Sequence, residues 1–281
     1  MAQDAPRGRS QAPLPGQSLS VHFEAEVHLR RYEQQVAVCI PARWQAQRFP
    51  GKLLQPFGNG TVLSHTIGIA LQADIGPVRV LADDERIEAE ARTTGVEVLR
   101  VQGPWRNGSE RIAAALRTGD LGEPLPELLV NLQGDAVGVP PSALAAAVEV
   151  LRANPDVALG TCAVRARPGE HGGRTTITAS GGRARNFSRA ALPPGEGRGD
   201  SLLLHLGLYA YRVPQLLRVA AASPGVGERR EGLEQLRWLE MGFEIGLHVL
   251  PGPAAEAHAI DWPADLQSIA SRRRGSPGHS N

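Results

Sequence analysis

The chain has 281 residues, enough for one large domain or two small ones with a sizeable core. Its formal net charge of +1 and its 4% aromatic content argue against a general nucleic-acid binder. The two cysteines, Cys39 and Cys162, lie in apolar runs, so we predict buried core thiols in a reducing compartment. Because the sequence has neither a long apolar segment nor a hydrophobic N-terminal signal, we expect a cytoplasmic protein.

Three regions are predicted along the chain. Residues 1–35 form an N-terminal extension that we expect to be largely disordered, since its start is rich in Pro, Gly, Ser and Gln. Residues 36–268 form the folded domain. Residues 269–281 complete the chain as a basic disordered tail.

Within the folded region, apolar runs typical of strands alternate with stretches typical of helices. The runs VAVCI, VRVLA, VEVLRV and LLVNL are separated by predicted helices near residues 62–73, 84–94 and 109–117. Such alternation predicts βαβ units and a parallel sheet covered by helices. Further along we predict a helix at SALAAAVEVLRA, strands at VALGTCAV and near 174–180 and 204–212, a helix near 230–241, a strand near 244–250 and a helix from Pro263.

The first predicted strand runs into a loop, residues 41–52, that carries the three cations Arg43, Arg48 and Lys52. In open α/β sheets, ligands bind at the carboxyl ends of strands. Arginine offers a planar fork to phosphate oxygens and lysine a point charge, so the loop suits a polyanion such as a nucleoside triphosphate. The same pattern is also typical of a solvated basic loop.

The segment WRNGSERI places Asn107, Gly108 and Ser109 just ahead of a predicted helix. Backbone N–H groups and the serine hydroxyl at such a position can donate hydrogen bonds to the edge of a ligand. In the alternative interpretation, Ser109 and the residues that follow it simply cap the helix.

Two carboxylates stand at the ends of apolar segments. Asp135, in VNLQGDAVGVPP, follows a predicted strand, and Asp261, in IDWPADL, precedes a proline-initiated helix. Magnesium takes hard oxygen ligands and draws the rest of its shell from water and substrate phosphates, so one or two carboxylates suffice. The alternatives are a turn former at Asp135 and a helix N-cap at Asp261. Spacing alone does not bring the two carboxylates together.

Polar residues also occur in two later elements. HLGLYAYR places His205 and Tyr209 on one face of a predicted strand, where a lone histidine is more often a satisfied core residue than a catalyst. EGLEQLRWLE is typical of an amphipathic helix in which Glu234 and Gln235 lie beside the apolar face.

The order of the motifs is more informative than any single motif. IPAR, RFPGK, NGSER, VNLQGD, NFSRAALP, HLGLYAYR, LEQLR and IDWPADL together closely resemble the CMP-Kdo synthetase family, the 3-deoxy-manno-octulosonate cytidylyltransferases, over about residues 36–268. The resemblance implies a GT-A-like α/β fold, with a mixed, mostly parallel sheet and a smaller dimerisation subdomain in a homodimer. It implies a magnesium-dependent enzyme that couples CTP to a 3-deoxy-manno-octulosonate-like sugar acid, releasing pyrophosphate and forming a CMP-activated product.

The resemblance also implies roles for individual positions. The implied catalytic residues are Arg43, Arg48, Lys52 and Asp135. The implied magnesium ligands are Asp135 and Asp261. The implied nucleotide-binding residues are Arg43, Lys52, Asn107, Gly108, Ser109, Gln133 and Asp135. The implied acceptor-binding residues are His205, Tyr209, Glu234 and Gln235.

At several positions the chain departs from the family pattern. An acidic-proline pair is replaced by Ala136 and Val137, small hydroxyl residues by Ala46 and Gln47, an arginine by Leu204, and a lysine by Thr175, next to Arg174. Lost polar partners weaken selection for a polyhydroxylated acid. Two alternatives therefore stand beside the main prediction. One is cytidylyl transfer to a different anionic acceptor, such as another ulosonic acid or a phosphonate. The other is a catalytically degenerate nucleotide-binding homologue.

Overall fold

The computed structural model describes residues 32–45, 49–122, 124–166, 174–190, 202–253, 260 and 263–266. Residues 1–31 of the predicted extension, the whole predicted tail, and the site candidates Arg48 and Asp261 lie outside these ranges. No helix in the described ranges is long and apolar enough to cross a membrane.

Strands and helices alternate along the first half of the chain, as the periodicity predicts. The strands are β1 (Tyr32–Ala42), β2 (Pro56–Phe57), β3 (Gly60–Thr61), β4 (Val78–Ala82), β5 (Glu97–Arg100), β6 (Leu125–Leu132), β7 (Val157–Arg165), β8 (Thr176–Ser180), β9 (Arg183–Ser188), β10 (Leu203–Arg212) and β11 (Glu244–Pro253). The α-helices are α1 (Val62–Ala73), α2 (Glu85–Arg92), α3 (Gly108–Thr118), α4 (Pro141–Ala153), α5 (Val213–Ala221), α6 (Val226–Glu231) and α7 (Gln235–Glu240). A short 3-10 helix spans Lys52–Leu54.

Within the described ranges, nine strands form one sheet in the order β5-β4-β1-β6-β10-β7-β11-β9-β8, and β2 and β3 pair separately. The parallel pairings are β4–β5, β1–β4, β1–β6 and β7–β11. The antiparallel pairings are β6–β10, β7–β10, β8–β10, β9–β11 and β8–β9. The prediction of a mixed, mostly parallel sheet is therefore confirmed, because seven of its nine strands run in one direction and β9 and β10 run in the other.

The antiparallel pairings occur in the second half of the sheet, because β9 and β10 do not follow the βαβ pattern, whereas β7 and β11 still pair in parallel. Strand β10 runs in the opposite direction between β6 and β7, and β8 turns directly into β9. Gly181 and Gly182, with φ of 58° and 70°, form the connection. Two consecutive residues with positive φ are typical of a tight hairpin turn, which needs no crossover helix.

The predicted helices near residues 62–73, 84–94 and 109–117 and over SALAAAVEVLRA are confirmed. The single helix predicted near 230–241 is instead the pair α6 and α7, because Gly232 adopts a left-handed φ of 67° and ends α6. Helix α5, which the sequence analysis did not predict, has proline in its first turn, where the missing N–H costs nothing.

The central strand β1 is buried along its length from Val36 to Ala42, because helices cover both faces of the parallel half of the sheet. The predicted burial of Cys39 and Cys162 is confirmed, and both are fully buried. Burial raises the pKa of each thiol to about 12, which keeps them protonated and unreactive.

Candidate active site

A cavity of about 700 Å³ opens where β1 and β6 end and β10 begins. This edge of the sheet is the one at which open α/β sheets bind ligands. The predicted site residues on its surface are Arg43, Lys52, Asn107, Gly108, Gln133, Asp135, His205, Tyr209, Glu234 and Gln235. Residues from five separate segments of the sequence therefore face one space.

Lys52 and Asp135 form an ion pair at the end of the cavity nearest β1. Their side chains are only 12% and 16% exposed, so the pair is largely shielded from water. The Lys52 ammonium also donates a hydrogen bond to the carbonyl of Ile260 at 2.8 Å. The backbone N–H of Ile260 in turn donates to the carbonyl of Asp135 at 3.1 Å. Three distant segments therefore meet at this point, and the third is the one that leads into Asp261.

The loop that carries Arg43 and Lys52 is closed at its base by Trp44 and Gly51. The Gly51 N–H donates to the Trp44 carbonyl at 3.1 Å. Gly51 has a left-handed φ of 68°, and a Cβ there would lie 2.9 Å from the indole ring. The Arg86 guanidinium covers the ring at 3.6 Å from its centroid. The packing of Trp44 on Gly51 therefore brings the two ends of the loop, and their cations, together at the cavity.

Helix α3 begins at the cavity and is held close to the strand ends. Asn107 caps the helix, because its side-chain oxygen accepts a hydrogen bond from the Glu110 N–H at 2.9 Å. A Cβ on Gly108 would lie 3.0 Å from both Gln133 Nε2 and Pro41 Cγ. Glycine thus allows the start of α3 to lie directly against the ends of β1 and β6.

The structure places the Ser109 hydroxyl behind the cavity wall. Ser109 is buried, is not part of the cavity surface, and shares a hydrogen bond of 2.6 Å with the Tyr211 hydroxyl. Asn131 also donates to that hydroxyl, at 3.1 Å. The alternative in which Ser109 caps α3 was wrong, because Asn107 is the cap. Ser109 therefore supports the wall from inside.

A row of aromatic rings runs from the cavity surface at His205 and Tyr209 into the core at Tyr211 and Trp238. His205, Tyr209, Tyr211 and Trp238 follow one another with centroid distances of 5.1, 5.9 and 5.4 Å. The Tyr209 hydroxyl donates to Gln235 Oε1 at 3.2 Å. This row fixes the position of polar groups that face the cavity.

His205 is neutral in this row. Burial, with a smaller contribution from Arg174, lowers the pKa of His205 to about 3. Its Nε2 lies 2.9 Å from the Thr161 hydroxyl, which uses its own proton to bond the Leu208 carbonyl at 2.6 Å. Nε2 is therefore the donor, and Nδ1 remains as a hydrogen-bond acceptor. The sequence analysis gave two interpretations of His205, a satisfied core residue and an acceptor-binding residue. The structure is compatible with both, since His205 has a buried hydrogen-bond partner and also lines the cavity.

Glu234 and Gln235 bring unsatisfied polar atoms to the same cavity. Oε2 of Glu234 and Nε2 of Gln235 are buried, and neither has a hydrogen-bond partner among the described residues. Burial raises the pKa of Glu234 to about 7, so its carboxyl is partly protonated at neutral pH. Buried polar atoms of this kind mark a place where a polar ligand can bind.

We expect Glu234→Gln to flatten the pH dependence of stability. The raised pKa means that the wild type loses stability as the pH rises from the unfolded value near 4.5 through about 7, because the buried carboxyl must ionise. Glutamine cannot ionise, so the variant gains about 1–2 kcal/mol over the wild type between pH 5 and pH 8. Urea unfolding at both pH values measures this difference. Glu149→Gln, an exposed control, leaves the wild-type pH dependence in place; equal pH dependence for E234Q and wild type contradicts the prediction.

Several cavity residues were missed by the sequence analysis, among them a buried arginine, Arg111. Its guanidinium donates to the Val101 carbonyl at 2.9 Å and to Asp83 Oδ2 at 3.1 Å. Arg111 lies four residues after Asn107, and residues at this spacing share one face of a helix. That spacing was the signal that could have found it. Other missed residues on the cavity surface include Trp105, Arg106, Arg189 and Arg229.

The departures from the family pattern fall mainly in the core. Ala136 and Val137 are each 1% exposed and Leu204 is fully buried, and all three belong to the hydrophobic core. Thr175 and Arg174, in contrast, line the cavity, so a cation remains beside the position of the expected lysine. Ala46 and Gln47 lie outside the described residues.

Comparisons with known proteins agree with one another. The cytidylyltransferase family profile matches residues 37–245. A 3-deoxy-manno-octulosonate cytidylyltransferase from Chelativorans sp. is 37% identical over 242 residues, covering 82% of this chain and 93% of that protein. An enzyme of the same name from Anaeromyxobacter dehalogenans is 37% identical over 239 residues, covering 83% of this chain and 95% of its own.

The solved structures give a similar result. A structure of CMP:2-keto-3-deoxy-manno-octonic acid synthetase complexed with CTP has a TM-score of 0.75 and 25% identity, covering 85% of this chain and 98% of its own. A cytidylyltransferase from Leptospira borgpetersenii, at 18% identity and a TM-score of 0.57, shares the fold over 88% of this chain and 89% of its own.

Proposed function

We propose a reaction for this chain from the premise that it belongs to the 3-deoxy-manno-octulosonate cytidylyltransferase family and is a CTP-dependent nucleotidyltransferase. It couples CTP to 3-deoxy-manno-octulosonate, releases pyrophosphate and forms the CMP-activated sugar acid. The observation that carries this proposal is that the Lys52–Asp135 pair and the residues Tyr209, Glu234 and Gln235 line one shared cavity.

The proposed chemistry is an in-line attack of the acceptor's anomeric hydroxyl on the α-phosphorus of CTP. The attack spreads negative charge over the phosphoryl oxygens and the departing pyrophosphate, so fixed cations can stabilise it without a covalent nucleophile. Arg43 and Lys52 face the cavity from the loop after β1, and Arg111 faces it from α3. We assign these three side chains, with Arg48, to the triphosphate.

We further propose that Asp135 and Asp261 hold a magnesium ion. The fit rests on the chemistry of Asp135, a carboxylate on the cavity surface, and on Ile260, which is hydrogen-bonded to both Lys52 and Asp135 and directly precedes Asp261. In the described ranges no three His, Cys, Asp or Glu side chains form a complete metal cage. Magnesium does not need one, because it keeps water and phosphate ligands. When bound, the ion screens the two anionic substrates from each other and lowers the pKa of the attacking hydroxyl.

In this proposal Lys52 has two partners in turn. Without substrate its ammonium neutralises Asp135. When the triphosphate binds, its oxygens carry more negative charge than the Asp135 carboxylate, so the Lys52 ammonium pairs with the phosphate. Asp135 is then available as a magnesium ligand. Lys52 therefore keeps the carboxylate from remaining an uncompensated, largely buried charge in the empty site.

The cavity surface around His205, Glu234 and Gln235 binds the acceptor. The Nδ1 acceptor of His205, the free donor of Gln235 and the carboxyl of Glu234 suit a ligand rich in hydroxyl groups. Arg174 and Arg189, also on the cavity surface, suit its carboxylate. Ala136, Val137 and Leu204 lie in the core and are not part of the cavity surface, whereas Arg174 keeps a cation on that surface beside Thr175. This favours 3-deoxy-manno-octulosonate over a different acceptor.

Three further features of the proposal follow the family. We assign the fold to the GT-A-like nucleotidyltransferases, with a smaller dimerisation subdomain. The active form is a homodimer, and the enzyme acts in the cytoplasm, where CTP is made. Analytical ultracentrifugation of the full chain tests the dimer.

The reaction is tested by incubating the full chain with magnesium, each nucleoside triphosphate in turn, and a panel of ulosonic acids and phosphonates. We expect pyrophosphate release with CTP and 3-deoxy-manno-octulosonate, and at least about tenfold less with UTP. Removal of magnesium with a chelator should stop release. Turnover with only another acceptor would select the alternative substrate class, and no release with any pair would select the degenerate homologue.

A further inference from the structure

Asp83 lies directly after β4 and contacts both the cationic loop and helix α3. Its Oδ1 accepts a hydrogen bond from the backbone N–H of Trp44 at 2.9 Å. Its Oδ2 accepts one from the Arg111 guanidinium at 3.1 Å. The carboxylate is 24% exposed and is not part of the cavity surface, whereas the Arg111 side chain is 6% exposed and lines the cavity. The Asp83 carboxylate therefore links the cationic loop to helix α3 from outside the cavity surface.

Each of these contacts fixes a cation. Trp44 directly follows Arg43, so its N–H holds the backbone at the start of the loop, and its carbonyl binds Gly51, which precedes Lys52. Arg111 is also held by the Val101 carbonyl at 2.9 Å. A shift of Asp83 would therefore change the positions of cations on both the loop and the helix.

The charges around Arg111 also indicate that Asp83 stabilises the cationic end of the site. Burial lowers the pKa of Arg111, attraction to Asp83 opposes that effect, and repulsion from Arg43 adds to it. Two guanidinium groups that face one cavity repel each other when no anion is bound. The Asp83 carboxylate offsets that repulsion in the empty site.

We propose that Asp83 is a positioning residue. It fixes the loop that carries Arg43 and Lys52 in place relative to Arg111, so that the three cations are already arranged to bind a triphosphate. The inference deepens the proposed function and rests on its assignment of these cations to the triphosphate. Asp83 does not touch the substrate. It acts through Trp44 and Arg111, so its loss weakens binding of the triphosphate group and leaves the nucleoside part of the site intact.

The neighbouring Asp84 provides a matched control. Asp84 is the N-cap of α2, where its Oδ1 accepts from the Arg86 N–H at 3.0 Å, and it forms an exposed ion pair with the Arg86 side chain. The two aspartates are adjacent in the sequence, but only Asp83 is hydrogen-bonded to the loop and to α3, whereas Asp84 is linked to the loop only through Arg86, which stacks on the Trp44 ring. Asn is also a good N-cap, so Asp84→Asn removes a charge at nearly the same place without removing the cap.

The test compares the affinity of wild type, Asp83→Asn and Asp84→Asn for CTP, CMP and inorganic tripolyphosphate by isothermal titration calorimetry. We expect Asp83→Asn to weaken CTP and tripolyphosphate binding about tenfold, while CMP binding changes less than about twofold, since CMP lacks the two outer phosphates. Asparagine at position 84 keeps an oxygen acceptor for Arg86, so Asp84→Asn should change each of the three affinities by less than about twofold. Asp83→Glu, which keeps the charge, should recover part of the loss and serves as a second variant if Asp83→Asn folds poorly.

The outcomes separate this inference from the proposed function. Equal loss for CMP and CTP in Asp83→Asn, no loss for either, or a wild type that does not bind tripolyphosphate would overturn the positioning role. If the wild type binds tripolyphosphate and Asp83→Asn weakens it, but neither turns over CTP, the positioning role stands and the proposed reaction fails.

Discussion

Replacing Asp135 with Asn is expected to lower kcat by at least about 10²–10³-fold while the protein remains folded. The carboxylate is the one group of the described cavity that combines a position beside Lys52 with oxygen ligands for a divalent cation. Asparagine keeps the size and one neutral oxygen, but it loses the charge. Steady-state pyrophosphate release measures the effect. A magnesium titration should show that the remaining activity needs a higher magnesium concentration.

The control for this variant is Asp74→Asn, which makes the same chemical change on the surface. Asp74 ends α1 in a left-handed conformation with φ of 47°, which asparagine also tolerates, so this variant should keep wild-type activity and stability. Thermal unfolding of Asp135→Asn should stay within a few degrees of the wild type, because Lys52 retains its bond to the Ile260 carbonyl. If Asp135→Asn turns over within tenfold of the wild type, Asp135 is not a metal ligand.

The second large effect is on stability, and we expect it for Arg237→Met. Arg237 is 3% exposed and binds Glu228 through two hydrogen bonds of 2.5 and 2.6 Å and Glu110 through one of 3.1 Å. It also donates to the carbonyls of Val219 and Ala222. Methionine fills similar space but leaves the buried Glu228 carboxylate without its arginine and Glu110 with Arg106 alone, so we expect the free energy of unfolding to fall by about 3–5 kcal/mol. Urea unfolding at pH 7 measures this value.

Arg79→Met is the control for that variant. Arg79 forms an ion pair of 2.5 Å with Glu97, but the two side chains are 20% and 52% exposed, so water replaces the lost partner. The expected cost is at most about 1 kcal/mol. A double variant, Arg237→Met with Glu228→Leu, should recover part of the loss, because an apolar pair leaves one fewer buried charge. A loss for Arg237→Met no larger than that of Arg79→Met would mean that the buried network does not stabilise the fold.

Arg237 also explains how the two halves of the cavity are joined. It lies in α7, which begins beside Glu234 and Gln235, and it binds Glu110 in α3, the helix that begins with Gly108. Burial alone would raise the pKa of Glu110, but hydrogen bonds from Arg106 and Arg237 outweigh that effect and lower the pKa below its usual value. A charged, buried link therefore connects the wall assigned to the nucleotide with the wall assigned to the acceptor.

Much of the first half of the chain could be predicted from local pattern. Short β-branched runs alternating with amphipathic segments correctly predicted β1, β4 and β6 and the helices between them, because a side chain's periodicity follows directly from backbone geometry. The second half was harder. The mixed direction of β8 to β11 depends on which strands pair, and Gly232 splits a continuous apolar pattern into two helices.

The candidate site divides in the same way. The sequence by itself determined the chemical types: the cations of the first loop, the carboxylate at Asp135 and the polar residues at Glu234 and Gln235, together with an order of motifs that matched one family. These are properties of residue type and local spacing. Only the tertiary structure decided which of them meet, because contacts between Lys52 and Asp135, 83 residues apart, depend on strand order. Only the tertiary structure shows that Ser109 lies behind the cavity wall and that Asp83 contacts Arg111, since a side chain's partners depend on how the neighbouring elements pack.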